Sequence, residues 1–130
     1  MENLFIPYEL AVKLKDKGFD EHCLAYYKLD GEFNLGGTYK NSEHGTSISA
    51  PLYQQVIDWF RVVHKYSIET YTQSIIFEAE LAAGYHSVVF HLDIAIWQAS
   101  KIVFDFNDGN TYDDYYVALT SAINAAIELI

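Results

Sequence analysis

Apolar residues recur along this chain at two spacings, one near 3.6 and one near 2, and the switches between them mark out its elements. Over residues 7–17 the spacing is helical, with Leu10 and Leu14 as an i, i+4 pair and Pro7 suited to a first turn. Lys13, Lys15 and Lys17 fall toward the negative end of that helix's dipole. Gly18 stands where a left-handed cap stops a helix, and Phe19 follows to pack back on it. Residues 24–29 are apolar and tyrosine-rich. Asp30 and Gly31 behind them are a hairpin signal, with a return strand over 32–35. Residues 36–46 turn polar and glycine-rich and predict a loop or a frayed edge strand, and 47–49 a short strand.

A second helix is predicted from Ser49 as cap and Pro51 in the first turn. Leu52, Val56, Trp59, Phe60 and Val63 form its apolar stripe. Residues 67–106 then alternate as an antiparallel meander. Ile75, Phe77 and Ala79 make one run, and Val88, Phe90 and Leu92 stand opposite Val89, His91 and Asp93 after a break at 82–84. Ile102, Phe104 and Phe106 make a third run, with residues 93–98 read as strand, a turn near 98–100 and another at 107–110. Thr111 is placed to cap a last helix, with Asp114 at its third position and Leu119, Ile123, Ile127 and Ile130 on one side. The expected fold is α+β: a single antiparallel meander sheet with about three helices packed on one face, residues 1–130 forming one globular domain.

Composition supports a packed core, since 51% of the 130 residues are hydrophobic. It also adds an interface signal, because among 11 tyrosines Tyr26, Tyr27, Tyr112, Tyr115 and Tyr116 cannot all be buried on single faces, and their half-polar rings suit contact surfaces. The lone Cys23 excludes an intrachain disulfide and any multi-cysteine zinc site, and reads as a small core residue. The start carries no basic, apolar leader and no run is long enough for a membrane helix, so a cytoplasmic protein without membrane contact is expected.

Charge changes the picture most. The net charge is -10, and its distribution is uneven. Residues 1–65 carry nine acids and seven bases, whereas 66–130 carry nine acids and only Lys101. Such a field repels nucleic acid and attracts cationic protein surfaces. Within it, Glu78, Glu80, His91, Asp93 and Asp105 fall on probable sheet positions and form the candidate binding face. His91 and Asp93, two apart, point the same way, and neighbouring strands could bring carboxylates beside them as a divalent-metal set. The same alternation is that of the wet face of a sheet. The run from Asp105 to Asp114 is not a calcium loop, since Asn110 stands where the glycine belongs and Tyr116 where the closing glutamate belongs. No catalytic residue, metal or cofactor is assigned.

Three stretches carry a family resemblance. They are Ile6-Pro7-Tyr8-Glu9-Leu10-Ala11 with Gly18-Phe19-Asp20-Glu21, then Ala50-Pro51-Leu52-Tyr53-Gln54-Gln55 running to Trp59-Phe60-Arg61, and Thr111-Tyr112-Asp113-Asp114. Together they resemble small uncharacterised proteins carried by phages and prophages of Bacteroidota-type gut bacteria, over the first 65 residues and the final helix. The resemblance implies a phage context, hence a host-cell cytoplasm, and supplies no catalytic residues. With the charge it leads to a non-enzymatic interaction protein that uses an acidic, tyrosine-rich surface on a cationic partner, one version being a host-defence inhibitor. Self-association into a homo-oligomer is compatible with the same surface. The alternatives are a binder that sequesters a signalling nucleotide, which the scarcity of bases after Lys65 opposes, and a metal-dependent hydrolase built on His91 and Asp93.

Overall fold

The first helix forms where its sequence signals place it. A computed structural model of the chain describes the backbone of residues 1–43, 45–77, 80–91, 101–105 and 111–130, and the side chains of those outside 73–83 and 101–105. In it α1 spans Tyr8–Asp16, Pro7 holds the N-cap position, and Gly18 takes φ 90 just past the end. Phe19 then donates its backbone N–H to the Leu14 carbonyl at 2.9 Å, the chain reversal that a left-handed glycine allows. Leu10, Ala11 and Leu14 are the buried face.

The chain divides into two compact units, Met1–Trp59 and Phe60–Ile130. In the first, β1 (Cys23–Tyr27) is the middle strand, with β2 (Phe33–Tyr39) on one side and β3 (Ile48–Ser49) on the other. Tyr27 pairs with Phe33 across the Asp30–Gly31 turn, where Gly31 has φ 87 and Asp30 Oδ1 accepts the Glu32 N–H at 2.9 Å. The region expected as loop or frayed edge is partly strand. Between Cys23↔Tyr39 and Ala25↔Leu35, β2 carries two more residues than β1, and Gly36 and Gly37 take φ 120 and 82 to absorb them. After β2, Asn41 ties the loop down. Its Nδ2 donates to the Phe19 carbonyl at 2.8 Å and its Oδ1 accepts the Ser49 N–H at 2.9 Å. Asp20 accepts the Ser42 N–H at 2.8 Å, and that bond holds its carboxyl below the usual range.

Helix α2 spans Tyr53–Trp59 and buries Tyr53, Val56, Ile57 and Trp59. Ser49 does not cap it, because Ser49 is already a β3 residue. The cap is instead the Gln55 side chain, which reaches back to accept the Leu52 N–H at 3.0 Å while donating to the His22 carbonyl at 2.8 Å. Trp59 meets Phe19 edge-to-face at 5.3 Å. The next residues, Phe60–His64, form a π-helical turn that opens the second unit. Its i→i+5 bonds take more residues per turn, so the expected stripe loses phase: Phe60 is buried but Val63 is 54% exposed.

The second unit has β4 (Tyr66–Phe77), β5 (Glu80–His91) and β6 (Lys101–Asp105) in the order β4-β5-β6, all antiparallel. The α+β class, the antiparallel pairing and three α-helices stand as expected, but among the described residues the strands make two three-stranded sheets rather than one. Each sheet has its own central strand, β1 or β5, already paired on both sides. The break expected at 82–84 is absent: β5 runs through it in unbroken register with β4, from Tyr66↔His91 to Phe77↔Glu80. Gly84 marks a close approach instead, since a Cβ there would lie 2.7 Å from the Tyr112 carbonyl oxygen. The expected strand at 93–98 and the turns at 98–100 and 107–110 lie outside the described residues.

Helix α3 (Tyr115–Ile127) packs on β4 and β5 through Ala118, Leu119, Ala122, Ile123, Ala126 and Ile127. Each fully buried leucine or isoleucine there contributes roughly 1.5–3 kcal/mol. Its cap is Asp114 and not Thr111: the carboxylate accepts the Val117 N–H at 2.9 Å. The shift has a local cause. Tyr112 is held in extended conformation by two 2.7 Å hydrogen bonds with Tyr85, so the helix starts only beyond it.

Candidate functional site

The register decides which of the sequence-selected residues meet. His91 and Glu80 sit at opposite ends of β5, eleven steps apart, or roughly 35 Å at strand rise. His91 pairs with Tyr66 on β4 and with Lys101 on β6, so its cross-strand neighbours are an aromatic and a cation. Its ring meets Tyr66 edge-on at 5.3 Å. Asp105 pairs with Val88, three residues back along β5, across a register shift between Val89 and Phe90. Glu78 and Asp93 lie outside the described residues. Of the carboxylates that a metal set would draw on, Glu80 is therefore not beside His91, since the two stand at opposite ends of the twelve-residue β5.

Of the face expected to be solvated, His91 is exposed, whereas Val89 two residues back is not. Val88 and Val89 are both buried, as are His86 and Ser87, so β5 is covered on both faces there. Ser87 meets this burial with a 2.7 Å hydroxyl–hydroxyl hydrogen bond to Thr70. His86 stacks at a tilt on Tyr71, with ring centres 5.3 Å apart.

Further exposed chemistry in this unit lies on β4 and at the start of α3. On β4, Glu69 is exposed and Tyr71 is 45% exposed, and two-residue spacing puts them on the same face. Ser67 Oγ donates to Glu69 Oε1 at 3.2 Å, which orients the carboxylate. Before α3, Asp113 and Asp114 are exposed beside Tyr115, itself 38% exposed. Tyr115 meets Tyr85 and Tyr116 edge-on at 5.6 and 5.3 Å. Both acids lie at the positive end of the helix dipole, which favours their charge.

Elsewhere the reactive groups are in structural use. Cys23 is buried, and burial, with Glu21 nearby, pushes its thiol up to about 12. Tyr27 donates to the Ile6 carbonyl at 2.7 Å within the core. Among the described residues, no group of three or more His, Cys, Asp or Glu could hold a metal ion, and no helix is long and apolar enough to cross a membrane. Compared with known protein families, with curated proteins and with solved structures, the chain matches none.

Sequence reasoning passed over Glu69 and Tyr71. A signal was present in the run Tyr66–Phe77: twelve residues rich in β-branched and aromatic side chains, with Glu69 as the sole charge and no glycine or proline.

Proposed function

We propose that this chain is a non-enzymatic interaction protein, of the phage or prophage type its sequence resembles, that presents an acidic, tyrosine-bearing surface to a cationic protein partner. One observation carries the reading. Glu69, Tyr71, Asp113, Asp114 and Tyr115 are exposed in a unit whose nine acids outnumber Arg61, Lys65 and Lys101 three to one. Carboxylates displayed beside rigid aromatic rings suit a basic surface, and in a host-defence inhibitor they would imitate a phosphate array in a nucleic-acid groove. The metal-hydrolase alternative gains nothing from the described register, which gives His91 a tyrosine and a lysine as cross-strand neighbours, while its Asp93 lies outside the described residues.

The test is affinity capture from bacterial lysate, followed by identification, purification and titration of the captured protein. Glu69 and Asp113 are exposed, so a variant neutralising both (Glu69→Gln, Asp113→Asn) should keep its melting temperature to within a few degrees. It should bind the partner at least about tenfold more weakly at low salt and with a flatter salt dependence. Equal affinity of the two proteins, or binding that ignores salt, would refute the reading.

A further inference from the structure

A strand at the edge of a sheet offers unpaired N–H and C=O groups, and natural sheets usually blunt such edges. Four described strands are edges, and three of them are guarded. β2 has its two-glycine bulge with left-handed φ, β3 is two residues long, and β6 is five residues long with a register shift. The fourth, β4, runs twelve residues in continuous register with β5, without bulge, proline, glycine or lysine. Alternate residues of an antiparallel strand turn their backbone groups away from the partner, so about six residues of β4 direct them outward.

The side chains on this edge say what kind of strand would suit it. Glu69 and Tyr71 project on one face, the carboxylate oriented by Ser67 and the ring seated against His86. In an added strand, same-face residues recur at the same spacing of two. One lysine or arginine would then lie over Glu69 as an ion pair, and the next over Tyr71 as a cation–π contact. A second copy of this chain is a poor occupant, because each copy carries a net charge of -10 and brings its own Glu69 to the seam.

Ser67 and Ile68 are buried, so the open part of the edge begins at Glu69. We propose that β4 receives an extended, lysine- or arginine-bearing segment of the partner as an added strand, with residues 69–72 as the recognition stretch. This rests on the acidic-surface reading above and gives it a binding mode. Backbone hydrogen bonds along β4 supply the pairing, and Glu69 with Tyr71 selects the cationic side chains.

The probe is a decapeptide alternating lysine and valine, compared with a twin of equal charge that is N-methylated throughout and so has no strand donors. The full chain should bind the first at least about tenfold more tightly. Only the first should slow hydrogen exchange over residues 69–72. Glu69→Lys, at an exposed position, should abolish that preference. Equal affinity for both peptides, or no binding of the first, would overturn strand addition. Because that comparison uses the unaltered chain, it does not depend on how the variant folds. A salt-dependent partner that still needs the neutralised carboxylates would then leave the acidic-surface reading standing. Concentration-dependent dimerisation lost in Glu69→Lys would assign the edge to a second copy and equally overturn the proposal.

Discussion

Cys23 illustrates what single residues can and cannot disclose in advance. As a lone cysteine between polar and apolar neighbours it reads as a small core residue, and it lies buried in β1 with Sγ donating to the Glu21 carbonyl at 3.4 Å. Burial raises its pKa from 9.0 to about 12, and burial likewise raises Tyr27 from 10.0 to about 12. Both raised groups keep their protons in the folded chain at pH values where the unfolded chain loses them. Stability is therefore fully present below about pH 9 and is lost as pH rises toward 12. The urea midpoint should fall progressively above pH 9, and Cys23→Ala should flatten the first part of that fall. A midpoint level up to pH 11 in the parent chain would contradict the burial of both groups. Tyrosines are less legible one at a time. Tyr27 is a core residue and Tyr71 a surface one, yet both sit in apolar, β-branched or tyrosine-rich runs, and only the pairing of their strands separates them.

Elements defined by local chemistry were legible, and those defined by distant contacts were not. Helix α1 needs only Pro7, its apolar pair and Gly18, all within one short window. The start of α3 depends on Tyr85, far away in sequence, which holds Tyr112 extended and passes the cap from Thr111 to Asp114. The continuity of β5 through Ala82, Ala83 and Gly84 has a similar origin: the strand is set by its pairing with β4, where period-two reading alone saw small residues as a break. The π-helical turn at Phe60–His64 has no sequence signature and moved Val63 outward. Asp114 gives the clearest test at this scale. Asp114→Ala should cost about 0.5–2 kcal/mol of unfolding free energy, and Asp114→Asn, which keeps an acceptor, much less. Equal losses for the two variants in urea titrations would show that the carboxamide cannot take over the cap.

For the whole molecule, the sequence carried the charge asymmetry and the fold class, while the candidate site moved. The acidic half is a property of composition and survives any folding pattern. Which carboxylates share a surface depends on register, and register placed Glu80 and His91 at opposite ends of one strand while bringing Glu69 and Tyr71 to an edge that no described strand covers. The two units also differ in charge, with nine acids to five bases in Met1–Trp59 and nine to three in Phe60–Ile130. The central claim is that a cationic partner is met by the second unit along β4. The most direct measurement is hydrogen exchange of the full chain, free and bound to the captured partner. The account predicts added protection over residues 69–72 that weakens as salt rises, with no new protection in Met1–Trp59. Protection confined to Met1–Trp59, with residues 69–72 unchanged, would contradict it.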